Sequence, residues 1–285
     1  MAEITAAMVK ELREQTQLPM MKCKKALQDA GGDMAAAMDA LRKEGETFID
    51  GRGDRTTEEG RIAIFTSDSA GAIIELQVES APVAGHEEVV ALANDLAQQL
   101  ATGPGAATPD ELWEQPCPSQ SGKTLKEVRD DIVNRIREVF RLPRIHRVDA
   151  ACGGYVHHDA KTGVLLEADG GDAALAKNIG MQIVAMKPLA ATKEELDPEV
   201  VKAEEEIQKD RARQEGKPEN IIEKMITGRM RNFYAEKVLV EQPYILDDKL
   251  TVGKVAKEGG MEIKGFTLWK VGETSDAEEP AAAAS

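Results

Sequence analysis

Near Arg61 the spacing of apolar residues switches from three-and-four to alternation, and neither an all-helical nor an all-strand architecture accommodates both patterns. Before the switch, Ile4, Met8 and Leu12 share one helical face, Met20, Cys23, Leu27 and Ala30 a second, and Met34, Ala37, Met38 and Leu41 a third. Pro19 suits a first helical turn, Gly31 closes that helix, Asp33 caps the next and Gly45 ends it. After the switch, "RIAIFTSDSAGAIIELQVES" alternates through Ile62 and Ile64, turns at "DSAG", and alternates again through Ile74, Leu76 and Val78, which predicts a β-hairpin. Helical spacing then returns in Val89, Leu92, Ala93, Leu96 and Leu100, and again from Val128 to Val139 after a Pro-rich loop. A second sheet-then-helix block follows. "IHRVDAACGGYVHHDAKTGVLLEAD" reads as strands around a turn, and Leu175, Ile179, Ile183 and Met186 form a helix stopped by Pro188.

These patterns predict an α+β chain. Its expected parts are a three-helix module over 1–45, a Gly- and charge-rich linker over 46–60, and two related core subdomains over 61–148 and 149–273. Within the second, two amphipathic helices broken at "EGKP" predict an inserted antiparallel helical hairpin over about 197–236, because strand patterning resumes in "KVLVEQPYIL". The tail, 274–285, has little to bury and is expected to be disordered.

Composition narrows the function classes. Lys plus Arg number 36 against 51 Asp plus Glu, and a net charge of −15 repels phosphate backbones, so direct nucleic-acid binding is not expected. No apolar run reaches the roughly 18 residues of a membrane span, and the N-terminus lacks a basic-then-apolar signal pattern. Cys23, Cys117 and Cys152 are three unpaired thiols, which fits a reducing, cytoplasmic setting. "SGKT" at Ser121–Thr124 has Cys117 where a phosphate-binding loop needs glycine, and reads as a helix start. His157 and His158, adjacent on an expected strand end, should face opposite ways and so serve no common zinc ion. No catalytic set, metal site or cofactor site emerges, and the chain is not expected to be an enzyme.

Two long stretches carry a resemblance. "VKELREQTQLPMMKCKKALQDAGGDMAAAMDALRKEG" resembles the N-terminal domain of the elongation factor Ts family, and "GKPENIIEKMITGRMRNFYAEKVLVEQPYI" its C-terminal signature. "GGYVHHDAKTGVLLEA" and "LAKNIGMQIVAMKP" are similar to its middle section, so the likeness runs in order from about Ala2 to Val271. The resemblance implies a ubiquitin-associated-like N-terminal module, two core subdomains and a hairpin that often mediates dimer contacts. It implies one partner, the GTPase elongation factor Tu, bound with GDP and nucleotide-free. The N-terminal module and first subdomain would grip its nucleotide-binding domain, and the second subdomain a distal domain. On this resemblance Arg13, Met20 and Met21 lie against the partner, as do Thr162, Gly163, Gln182, Ile245 and Leu246. Methionine is unbranched and polarizable, which suits a surface that must shift. Lys22, Lys24 and Lys25 could steer towards acidic partner surface or stand solvated.

The chain departs from the family pattern at one segment. The family's Thr-Asp-Phe-Val, whose aspartate and phenylalanine wedge near the partner's magnesium site, is here Ser80, Ala81, Pro82 and Val83. The family's histidine becomes Gln182, its Ile-Gly pair Thr162-Gly163, and its Gly-Ala-Gly before the methionines "QLP". Two expectations follow. Either Ser80–Val83 still press backbone and Pro82 into the partner and nucleotide exchange proceeds, or the chain holds its GTPase with weakened exchange.

Overall fold

A computed structural model describes residues 4–16, 18–50, 55–216 and 218–273. The fold is α+β, with N-terminal helices followed by sheet-containing structure. In chain order the elements are α1 (Ala6–Thr16), α2 (Met20–Asp29), α3 (Met34–Asp50), β1 (Glu59–Thr66), β2 (Gly71–Val78), α4 (Ala81–Ala84), α5 (Glu87–Thr102), α6 (Pro109–Trp113), α7 (Leu125–Ile136) and β3 (Arg141–Val148). Then come β4 (Cys152–Val156), β5 (Thr162–Gly170), α8 (Ala173–Met186), α9 (Pro198–Gln214), α10 (Glu219–Lys237), β6 (Pro243–Tyr244), β7 (Asp247–Thr251), α11 (Val252–Glu258) and β8 (Met261–Lys270). Sheet orders are β1-β2-β3, β4-β5-β8 and β6-β7. The chain divides into two compact units, one comprising Met1–Ala63, Ile74–His146 and Val271–Ser285, the other Ile64–Ile73 and Arg147–Lys270.

In the first unit, Leu12, Leu18, Cys23, Leu27, Ala37 and Leu41 meet in the core of the three N-terminal helices. A core this small needs outside support. It comes from α7, against which α3 packs; there Arg42 pairs with Glu127 at 3.1 Å and Glu44 with Arg137, the C-cap of α7, at 3.2 Å, while Glu44 also pairs with Lys22 of α2 at 3.0 Å. Burial alone would raise the Glu44 carboxyl, but Lys22 and Arg137 outweigh it and hold the group below its ordinary value. Helix α3 does not stop at Gly45. A mid-helix glycine costs only about 1 kcal/mol, which contacts from another helix can offset. The expected linker over 46–60 is therefore helical to Asp50 and enters β1 at Glu59, with 51–54 outside the described residues. The tail, 274–285, also lies outside them.

Strand β2 is buried from Gly71 to Leu76 rather than in alternation, as befits the central strand of its sheet. It carries Glu75, fully buried. Its Oε2 accepts from Arg144 Nε of β3 at 2.6 Å, and its Oε1 accepts from Gln77 Nε2 at 2.7 Å and Gly272 N at 2.9 Å. Strand β3 lies at a sheet edge, where Pro143 removes no needed ladder donor. Helix α7 begins as the "SGKT" reading expects. Thr124 and Glu127 form a reciprocal capping box, with Glu127 N to Thr124 Oγ1 at 3.1 Å and Thr124 N to Glu127 Oε2 at 3.0 Å.

In the second unit, α8 packs on β4 and β5 around Val164, Leu166, Ile179, Ile183, Tyr244 and Met261. Two glycines permit the close approach. A Cβ on Gly153 would fall 2.4 Å from the Ala176 Cβ, and one on Gly180 2.6 Å from the Tyr155 Cβ. Helix α9 is capped by Asp197, whose Oδ1 accepts from Glu199 N at 2.8 Å, and it packs on α10 through Ala212, Ile222, Ile226 and Met230. This is the inserted helical hairpin of the expected fold.

Replacing Arg144 with Met is expected to lower unfolding stability by about 3–5 kcal/mol in urea titration, because it leaves the Glu75 carboxylate buried without its cation. Adding Glu75→Gln to that variant should recover part of the loss.

Candidate functional site

Of four expected site segments, two fall at helix starts, one on a hairpin turn and one at the start of a strand, and not every residue in them is exposed. At the start of α2, the carbonyl of Pro19 accepts from Lys22 N at 2.8 Å and Cys23 N at 3.1 Å, so the helix begins at once. Leu18 fills the core below it. Met20 and Met21 are consequently left outside, 54% and 72% exposed, and Met20 does not join the Cys23–Leu27 stripe as its spacing suggested. Arg13, Leu18, Pro19, Met20 and Arg135 line one shallow depression of about 470 Å³. Lys24 and Lys25 are exposed, whereas Lys22 is drawn in towards Glu44.

Ser80–Val83 forms the corner between β2 and α5. Ala81 and Pro82 are exposed, Ser80 and Val83 half-buried, and Ala81–Ala84 closes into the single turn of α4. Ser80 N and Oγ donate to Glu138 Oε2 and Oε1 at 3.0 and 2.5 Å, and Arg61 Nη1 donates to the Ala84 carbonyl at 2.9 Å. Neither Glu138 nor Arg61 has the local periodicity or motif context by which a reading of the residues alone finds a site.

In the second unit, Thr162 and Gly163 open β5. Thr162 is half-buried, and its carbonyl accepts from His157 N at 2.8 Å. Gly163 is buried in register with Val156 on one side and Trp269 on the other. A direct side-chain contact with a partner does not suit Gly163.

Gln182, expected at the partner, is fully buried in the free chain. Its Nε2 donates to Gln242 Oε1 at 3.0 Å and to the Pro243 carbonyl at 3.1 Å, while its Oε1 accepts from Ile245 N at 2.8 Å. Gln242, also fully buried, donates in turn to the Glu236 carbonyl at 2.9 Å. The pair holds the tight β6–β7 turn, where Tyr244 faces Asp247 and Ile245 and Leu246 stand 42% and 61% exposed at the tip. Gln182 thus sets where Ile245 sits. Its place three residues after Ile179, on the inward face of α8, was the overlooked signal.

His157 and His158 do not point apart, because the chain has already left β4 at Val156. Their rings meet edge-to-face at 4.3 Å, and His157 Nδ1 lies 3.0 Å from the Tyr155 hydroxyl. Among the described residues no group of three or more His, Cys, Asp or Glu could hold a metal ion. A cavity of about 360 Å³ in the second unit includes Ser67, Asp68, Cys152 and Asp172 in its lining. Burial, and then the neighbouring Glu167, push the Cys152 thiol up to about 11, so it stays protonated and a poor nucleophile near neutrality. No helix of the described residues is long and apolar enough to cross a membrane.

Gln182→Ala is expected to destabilise the chain by about 2–3 kcal/mol, since it strands buried donors and acceptors. Amide exchange at Ile245 should rise more than at β5, and equal rises would mean that the glutamine does not govern the turn.

The sequence profile of the family described as Elongation factor TS matches residues 82–273, more than half of the chain. An elongation factor Ts of Methylococcus capsulatus is 40% identical over 281 residues, covering 97% of this chain and 94% of that protein. One of Hyphomonas neptunium is 41% identical over 288 residues, covering 96% and 93%. One of Thioalkalivibrio sulfidiphilus is 37% identical over 275 residues, covering 95% and 92%. With similarity of this extent, the chain belongs to the elongation factor Ts family of translation elongation factors.

Proposed function

We propose that this chain is a guanine-nucleotide exchange factor acting in the cytoplasm on elongation factor Tu. It binds the GDP-bound and nucleotide-free GTPase, promotes GDP release and leaves the site for GTP. The observation that carries this reading is the turn at Ser80–Val83, which offers exposed Ala81 and Pro82 on a backbone held from both ends. GTPases of this kind cradle the phosphates with backbone amides and a lysine, and Mg²⁺ bridges phosphate and protein oxygens. A factor that binds best when that cradle is distorted weakens GDP by the same coupling energy with which GDP weakens the factor. A preformed turn can press on the cradle without first paying to become ordered. No covalent step is involved.

In this reading Met20, Met21 and Arg13 grip the nucleotide-binding domain, while Ile245 and Leu246 meet a distal domain. Exposed methionines adapt their shape at low cost, and Ile245 and Leu246 form a small apolar projection suited to a shallow hollow. Thr162 and Gly163 serve through backbone position. The hairpin, which exposes Val200, Ile207 and Ile221, is proposed to receive a second copy of the chain. With its net charge of −15, the chain makes no direct contact with nucleic acid.

A second reading rests on Ala81 and Pro82, which supply neither carboxylate nor aromatic ring. In it the chain holds its GTPase with weakened exchange. Release of a fluorescent GDP from the same organism's elongation factor Tu separates the two. The exchange reading expects acceleration of at least about tenfold, within the usual range of coupling energies. Tight binding without acceleration would establish the holding partner. Met20→Ala with Met21→Ala should weaken binding about tenfold while leaving the melting temperature nearly unchanged, because both side chains lie outside the core. Unchanged affinity, measured by calorimetry, would remove the methionines from the interface.

A further inference from the structure

We propose that Glu138 is a positioning residue for the Ser80–Val83 turn, a role that rests on the exchange reading above. Ser80 occupies the N-cap of α4, yet its hydroxyl makes no capping bond to that helix. It turns to Glu138 Oε1 at 2.5 Å, while its own N–H donates to Oε2 at 3.0 Å. The two ends of one carboxylate therefore fix both the main chain and the side chain of the residue before Ala81. Hydrogen bonds to a charged acceptor are roughly twice as strong as neutral ones, and two on one residue also set its orientation.

The arrangement is reciprocal. Glu79, just before Ser80, accepts from Val139 N at 2.9 Å through Oε1, and Val139 directly follows Glu138. Each corner thus gives a carboxylate to the other's backbone N–H. Glu79 Oε2 is paired with Arg55 at 2.6 Å. Arg137 adopts φ of 64° as the C-cap of α7, and this left-handed step turns the chain so that Glu138 reaches Ser80. At the far end of the turn, the Arg61 bond to Ala84 limits the remaining freedom. With both ends fixed, the exposed side chains of Ala81 and Pro82 have one main-chain placement.

The placement is made in the free protein, so its ordering cost does not fall on the complex. Misplacement of a reacting or pressing group by about 1 Å can cost as much as a hundredfold in rate. Loss of Glu138 should therefore appear in the maximal rate of GDP release more than in affinity.

The test uses the full chain and elongation factor Tu loaded with fluorescent GDP, titrated to saturation. Glu138→Ala should lower the maximal release rate about tenfold and shift the half-saturating concentration by less than about threefold. Glu138→Gln keeps one accepting oxygen and should fall between it and the unaltered chain. Ser80→Ala removes only the hydroxyl bond and should lower the maximal rate about threefold, and it carries the test if Glu138→Ala fails to fold. An unchanged maximal rate in the folded variants, or a loss confined to half-saturation, overturns the proposal. If the unaltered chain does not accelerate release, the exchange reading falls. Amide exchange at Ser80 and Ala84 then judges the positioning alone: a rise on Glu138→Ala upholds it, and no change overturns it.

Discussion

The buried carboxylate of Glu75 is the constraint on which the first unit turns. A charge on the central strand of a sheet is tolerable only if it is paired and hydrogen-bonded, and here the donors come from three parts of the chain. Gln77 lies two residues along the same strand, and its Oε1 accepts in turn from Thr57 Oγ1 at 3.0 Å. Arg144 fixes β3 beside β2. Gly272 brings in the chain beyond β8, although it is far away in sequence. An apolar residue at this position would bury as well without specifying which segments must meet, so the charge contributes register more than stability.

Once β2 and β3 are set, the corners that follow and precede them are set too. The β2–α4 corner carries Glu79 and Ser80, and the α7–β3 corner carries Glu138 and Val139. In the second unit a neutral network plays the corresponding part, with Gln182 and Gln242 holding the turn that carries Ile245 and Leu246. In both units, half-buried or buried polar groups hold the main chain while the exposed side chains at the tip remain without a structural task. That separation suits a protein whose proposed work is to push on another protein.

Much of this was legible in the residues. The three helical stripes, the hairpin around "DSAG", the capped start at Thr124 and the helix pair beginning at Asp197-Pro198 all follow from spacing and end signals that act within one element. What was not legible depends on contacts distant in sequence. Gly45 reads as a stop because the packing of α3 against α7 is invisible locally. Met20 reads as core because nothing nearby says that Leu18 occupies that place. Gln182 is placed at the partner by the resemblance alone, although its position on α8 points inward. Glu138, without any motif, could be found only once the fold had brought it to Ser80.

The bonds at Ser80 grip the backbone N–H and a small hydroxyl, and none involves the side chains of Ala81, Pro82 or Val83. The chemistry displayed at the turn is therefore separable from the scaffold that displays it. Substitutions at 81 and 82 can change what the corner presents without asking the fold to change. A lineage could thus retune this point of contact in step with a drifting partner, whereas a change at Glu138 would disturb the mount itself.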